Sequence, residues 1–394
     1  MRRFLIAHTV AGVRLRIAVL AVCAAGLVAA PPAAATSVSE AVQFLNQQRA
    51  ANGMSANVTV DDYRTTGCRN HNHYMAVNGI GHGEDPNKEG YTPEGADYSN
   101  SGEVIAQGGI GWSAAENPWD QAPLHQAILF DPRVGKTGYD ESEGFACMRL
   151  EIVFSNPPTP TFFAYTGDLG RTEVPPREVV CCEHPYAPQE AVGISQGVPT
   201  GPNILFSSQG FGFNNHAVSY SLTGPSGPVD VRFVDSTTTP PPAGQGYKAF
   251  YTGGDMIPVQ PLAAFTNYTA TVTWHNDDDN SAPEMPQTVS FKTGGFERGL
   301  ALKLSKKLAR GRKATLTAPA EAGGQSATVK IGLLKRGKTK ARTVSTKQIT
   351  LKGSQKIKVP AAPKGGKTVV TVKVASFIQG DTRFTVTPAT RSYR

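Results

Sequence analysis

The chain has 394 residues, 39% of them apolar and 18% charged, with a formal net charge of +8; that balance excludes an intrinsically disordered chain and allows two or three domains, each with its own core. After residue 36 no apolar run reaches the ~18 residues that a spanning helix needs, so the chain is not expected to span a membrane by a helix. The charge is unevenly divided: residues 298–394 hold 23 Lys and Arg against Glu321 and Asp381, whereas the first 297 residues hold 16 basic and 29 acidic side chains. The two parts are expected to seek partners of opposite sign.

In chain order, residues 1–35 carry Arg2, Arg3, Arg14 and Arg16, then an apolar run over 17–30, then Ala33-Ala34-Ala35. This is the pattern of a secretory signal peptide, and it implies a protein that is secreted or held at the cell envelope. Residues 36–172 form the first domain. Ser37 and Glu40 make a capping box ahead of Val38, Ala41, Val42 and Leu45, which predicts a helix that stops at Gly53. A second helix is expected through "DYRTTGCRNHNHYMAVNG", closed by Gly79, and a short third helix begins at Pro123 and ends before Asp131-Pro132. "FACMRLEIVFS" and "PTFFAYTGDL" read as strands of a buried sheet, so this domain is expected to be α+β.

Residues 173–183, containing "PPREVV" and the pair Cys181-Cys182, read as a linker. Residues 184–296 alternate in short runs such as "VDVRFVDS" and "YTATVTW" between Gly- and Pro-rich turns, which predicts an antiparallel β-sandwich. Residues 297–394 alternate likewise in "ATVKIGLL" and "KTVVTVKVASF", with lysines on the expected solvent face. They read as a second, basic β-rich domain rather than a disordered tail.

Cys23 leaves with the signal, and the remaining Cys68, Cys147, Cys181 and Cys182 form an even set in an exported chain, where disulfides persist. A bond between adjacent cysteines closes a strained ring, so Cys68 and Cys147 are each expected to pair with one member of Cys181-Cys182. The competing arrangement joins Cys68 to Cys147.

Three points in the first domain carry ligand-capable side chains: "GHGED" with His82, "GEVIA" with Glu103 and "WDQAPLHQAIL" with His125. Together with "FLNQQRAANGM" and "HNHYMAVNG", in this order, they resemble the CAP superfamily of cysteine-rich secretory and pathogenesis-related class 1 proteins, in its bacterial exported branch, over residues 40 to 170. The resemblance implies a CAP-type α-β-α sandwich, followed here by the two β-sandwich domains of immunoglobulin or fibronectin type. It also implies a cleft in which His82, Glu103 and His125 converge on a small apolar ligand, a divalent metal, or both. Two imidazoles and a carboxylate suit Zn²⁺ with one open position. The pattern departs from the family at Val104, which replaces an asparagine, at Leu124, which replaces a glycine, and in lacking a second glutamate after Trp119.

The reading from these residues is therefore a secreted binding protein whose basic segment 298–394 associates with anionic envelope polymers. The alternative is a metal-assisted or general-base hydrolase of peptide or ester bonds, in which His125 or Glu103 activates water. No nucleophile elbow or zincin motif supports that alternative. Nucleic acid is not expected as a partner of an exported chain. His71 and His73, two apart on a helix, point different ways; Glu84 and Asp85 read as a solvated loop; and "HNDDDN" at 275–280 lacks the glycine and distal glutamate of a calcium loop and reads as a hairpin tip.

Overall fold

The computed structural model describes residues 35–97, 101–108, 112, 118–153, 160–166, 173–180, 183, 187–211, 214–238, 250 and 252–394. The expected signal peptide, save Ala35, and the pair Cys181-Cys182 lie outside the described residues.

Helix α1 (Val38–Ala51) begins at the capping box: the Ser37 hydroxyl accepts from Glu40 N, and the Glu40 carboxylate accepts from Ser37 N at 3.0 Å. Strand β1 (Thr59–Val60) leads into α2 (Asp62–Asn78), whose N-cap Asp61 accepts from Arg64 N and whose end is set by Gly79 at φ 92°. After α3 (Pro93–Ala96) come β2 (Ser101–Gln107), α4 (Pro123–Leu129), β3 (Val134–Ser142) and β4 (Phe145–Ile152). The strands form one sheet in the order β1-β3-β4-β2, antiparallel except where β1 joins β3.

The two sides of β4 meet different partners. Ala146, Met148 and Leu150 enter a core that includes Ala41 and Leu45 of α1, whereas Phe145 and Cys147 pack with Cys68 and Met75 of α2. Helix α2 lies so close to β3 that a Cβ at Gly138 would collide with the backbone at Arg64 and Thr65.

Strand β5 (Thr161–Tyr165) is read from the sequence as part of the first domain's sheet, but it pairs with β6 (Ile204–Gln209). The strands β7 (Asn215–Gly224), β8 (Gly227–Val229), β9 (Val231–Asp235), β10 (Gly253–Pro258), β11 (Asn267–Asn276) and β12 (Met285–Lys292) complete two facing sheets, β5-β6-β10-β9 and β12-β11-β7-β8. Between them lies a core with Ile204, Phe206, Met256 and Trp274. The first sheet is buried on its other face too, because Leu205, Val234 and Ile257 belong to the same core as α1 and β4.

This continuity overturns the expected fold class. The first segment does not close as an α+β, CAP-type α-β-α sandwich; its core runs into the β-sandwich beside it. Over the described residues the chain is mostly β, with four α-helices against 22 strands. Sequence periodicity places α1, α2 and α4 but gives no reading of α3 or β2, and it is silent on which sheet shares a core with which helix.

The last segment has its own core, including Leu302, Leu316, Val329 and Val372. Its strands are β13 (Phe296–Ala301), β14 (Lys303–Leu304), β15 (Lys313–Thr317), β16 (Ser326–Leu334), β17 (Arg342–Thr350), β18 (Ser354–Lys358), β19 (Lys367–Val374), β20 (Phe377–Gln379), β21 (Thr382–Thr387) and β22 (Ala389–Tyr393). They form three sheets, β13-β21-β20, β14-β15-β18 and β17-β16-β19-β22.

A disulfide joins Cys68 of α2 to Cys147 of β4, with Cα atoms 5.3 Å apart. The expectation that each would bond to the Cys181-Cys182 pair is corrected accordingly. Packing of α2 on β4 already holds the two side chains within disulfide reach.

Candidate functional site

The three residues singled out by the sequence reach one place by different routes. Gly79 ends α2 and turns the chain into the loop that carries His82. Glu103 stands on β2, where Gly102 leaves room for α4: a Cβ at that position would strike the Ile128 side chain. His125 is in the first turn of α4, which begins at Pro123 and is held by Gln126 Nε2 donating to Trp119 O at 3.2 Å.

The rings of His82 and His125 lie 6.3 Å apart, centroid to centroid, at 29°. His82 Nδ1 meets Glu103 Oε2 at 3.0 Å, and His125 Nδ1 meets Glu183 Oε1 at 2.8 Å. Each imidazole is thus oriented by a carboxylate. With Nδ1 donating, each ring presents Nε2 as an acceptor, and neither Nε2 has a hydrogen-bond partner among the described residues. The His82 side chain is 45% exposed and that of His125 only 10%, so the pair runs from the surface inward. Half-buried Leu124 and Ala127 flank His125 and add apolar surface.

Glu103 is not free to act as a ligand. Its Oε1 accepts from Arg149 Nε at 2.6 Å, and its Oε2 faces His82, with His71 Nε2 at 3.8 Å. Burial raises the Glu103 carboxyl, but His82, Arg149 and His71 outweigh it and hold the group below its usual range. A zinc site with His82, Glu103 and His125 as three ligands therefore does not fit. No group of three or more His, Cys, Asp or Glu side chains among the described residues is arranged to hold a metal ion.

Arg149 is itself fixed. Its Nη1 donates to Glu94 O at 2.8 Å and Asp97 O at 3.1 Å, and its Nη2 donates to Gly95 O. The loop carrying His82 is tied down from inside by His71, whose Nδ1 meets Glu84 Oε1 and whose Nε2 meets Gly81 O, both at 2.9 Å. Glu84, expected in a solvated loop, is instead buried against His71. His73 faces outward and meets Glu143 at 3.0 Å.

Glu183 is the functional side chain that sequence reasoning passed over. It comes from the segment read as a linker, and besides orienting the His125 ring it accepts from His125 N at 3.1 Å, capping a helix whose own Ala122 has no side-chain cap. Burial raises its carboxyl despite the His125 contact. Behind it, Asp255 of β10 is fully buried, and neither of its carboxylate oxygens has a hydrogen-bond partner among the described residues. Burial and the nearby Glu178 and Glu183 push Asp255 well up, and burial pushes Glu178 up to about 8 against the opposing hydrogen bond from Asn203 N.

No local pattern announces Glu183. Arg149 did leave a mark: it is a lone cation inside the apolar run "FACMRLEIVF", and such a residue needs a buried partner.

No protein-family model and no curated protein matches the chain. Among solved structures it is similar to a DUF4785 family protein from Legionella pneumophila, at 9% identity and a TM-score of 0.23, over 60% of this chain and 57% of that one. The chain thus spans little more than half the length of that protein. It is also similar to the chicken CNTN1 FN1–FN3 domains, at 10% identity and a TM-score of 0.18, over 64% of this chain and 82% of that one.

Proposed function

We propose that the protein is an exported binding protein that receives a small, largely apolar ligand beside Leu124 and Ala127 and fixes it through the Nε2 atoms of His82 and His125. The observation that carries this reading is the pair of imidazoles, each oriented by its own carboxylate and each left with a nitrogen that has no hydrogen-bond partner among the described residues. An apolar wall with two placed polar groups is how small-molecule sites obtain affinity and orientation together. The order His82, Glu103, His125 is the part of the CAP resemblance that this reading retains. Export rests on the pattern of residues 1–35, and the disulfide between Cys68 and Cys147 agrees with an oxidising compartment. Residues 298–394 attach the protein to anionic polymers of the envelope through their excess of cations.

Native mass spectrometry of the secreted protein tests the cleft. A non-covalent adduct is expected in the wild type and should disappear in His82→Ala and His125→Ala. An adduct-free wild type would overturn the reading.

The two carboxylate–imidazole pairs also favour a second reading, a hydrolase in which His125, held by Glu183, takes a proton from water. A His125→Ala protein that hydrolyses peptide and ester substrates as fast as the wild type removes it.

A further inference from the structure

The 23 cations of residues 298–394 are not spread evenly over their sandwich. The chain enters at Phe296, at the start of β13, which pairs in parallel with β21. Strand β14 runs away from it into the connection 305–312, with Lys306, Lys307, Arg310 and Arg312. Strand β16 runs the same way into 335–341, with Lys335, Arg336, Lys338 and Lys340. Strand β18 does so again into 359–366, with Lys364, and β22 ends there at Arg394.

These connections touch one another. Arg312 Nη2 donates to Pro360 O at 3.1 Å, Val359 N donates to Arg312 O at 2.8 Å, and the Tyr393 hydroxyl donates to Ser305 O at 3.0 Å. The Arg336 side chain lies beside Gly365, where a Cβ would meet its Cδ at 3.4 Å. At the base of the same cap Lys313 and Lys358 stand directly opposite each other on adjacent strands. Like charges in that position destabilise a sheet pair.

Carboxylates are confined to the other end. Glu321 is in the connection between β15 and β16 and Asp381 in the turn before β21, beside Gly295. Among the described residues only Arg298 and Arg383 of this segment have a carboxylate in salt-bridge range, Glu321 and Glu297, and both pairs are on the entry side. The connections at the far end hold no acidic residue at all.

Resting on the proposed envelope association, we infer that the end-cap built from connections 305–312, 335–341 and 359–366 is the docking surface, and that its partner is a linear polyol-phosphate polymer. Nine cations in those connections, all but half-buried Arg312 exposed, offer a field of one sign to a chain of phosphates. Association releases the counterions condensed on the polymer, so affinity falls steeply with salt. No exposed aromatic residue belongs to the cap; Tyr393 is 5% exposed. A surface without stacking groups reads charge rather than bases, which favours the envelope polymer over single-stranded nucleic acid. The net negative charge of the first 297 residues repels the same polymer and restricts it to the cap.

The test measures binding of the full chain to immobilised poly(glycerol phosphate) at low and high salt. Two triple variants compare equal charge loss: Lys306→Gln/Lys307→Gln/Arg310→Gln in the cap and Lys330→Gln/Lys352→Gln/Lys373→Gln elsewhere on the segment. The cap variant is expected to bind at least about tenfold more weakly, with a smaller salt slope, and the other variant within about threefold of wild type. Equal losses would overturn the cap while leaving the envelope reading intact. Failure of the intact protein to bind at low salt would overturn the envelope reading itself. Tighter binding of duplex or single-stranded DNA than of poly(glycerol phosphate) at equal salt, lost in the cap variant, would overturn the choice of partner.

Discussion

Gly67 lies where α2 passes over the Arg149 guanidinium: a Cβ there would come within 2.5 Å of Nη1 and 2.7 Å of Glu94 O. Helix propensity alone would make Gly67→Ala stabilising by about 1 kcal/mol. The collision with a backbone oxygen and a buried cation reverses the sign, and a net loss of about 1–3 kcal/mol in urea unfolding is expected. At Glu178 the carboxyl is pushed up to about 8. The unfolded chain loses this proton near pH 4.5, whereas the folded chain keeps it until about 8. Between those values the folded state binds more protons, so this group makes stability fall as pH rises and stop falling above about 8. Denaturation midpoints across that range should decline in the wild type and decline less in Glu178→Gln; an identical slope would refute the assignment. Glu103 works in the opposite sense, since its carboxyl is held low and its contribution is lost as pH drops below the usual carboxylate range. His82, Glu103 and His125 were legible as residue types in a given order, whereas Glu183 was not. Its contact with His125 spans 58 residues, and nothing in the local pattern of 173–183 distinguishes a buried carboxylate from a solvated one.

At the scale of elements, helix ends were the most legible features. Ser37 and Glu40, Gly79 and Pro123 each act within a few residues of themselves, and each sits at the boundary it predicts. Strand partners were less legible, as β5 shows: its apolar run fits any buried sheet, and only the register with β6 decides which. The disulfide belongs to the same class. It depends on α2 meeting β4 across 79 residues, so the adjacency of Cys181 and Cys182 was a poor guide to it. Closing a loop of that length stabilises the folded state by about 4 kcal/mol in the chain-entropy account. Cys68→Ala/Cys147→Ala should therefore lose about 2–5 kcal/mol while retaining the contacts of Met75, Ile105 and Phe145 around it. A variant as stable as the wild type, measured by urea unfolding without reductant, would show that packing alone holds α2 on β4.

At the scale of the whole molecule, composition shifts and cores divide the chain differently. Composition marks a change near residue 172, yet the core of α1 and β4 continues through Leu205, Val234 and Ile257 of the neighbouring sandwich. That sheet is covered on both faces, and melting either neighbour exposes apolar surface on the other. The change near residue 297 does coincide with a separate core, made only of residues from Leu300 to Tyr393. Two cooperative units are expected, one from the first helix to Phe291 and one from Leu300 onward. Calorimetry should then resolve two transitions. Leu316→Ala, a fully buried truncation in the basic segment costing about 2–5 kcal/mol, should lower one transition and leave the other in place. Leu205→Ala should lower the other as a whole, moving the near-ultraviolet signals of Trp119 and Trp274 together, because these lie in the two cores that share the sheet. If Leu205→Ala instead separated Trp119 from Trp274, the first segment would be an independent unit after all, and the continuity of its core with the sandwich would be contact without cooperativity.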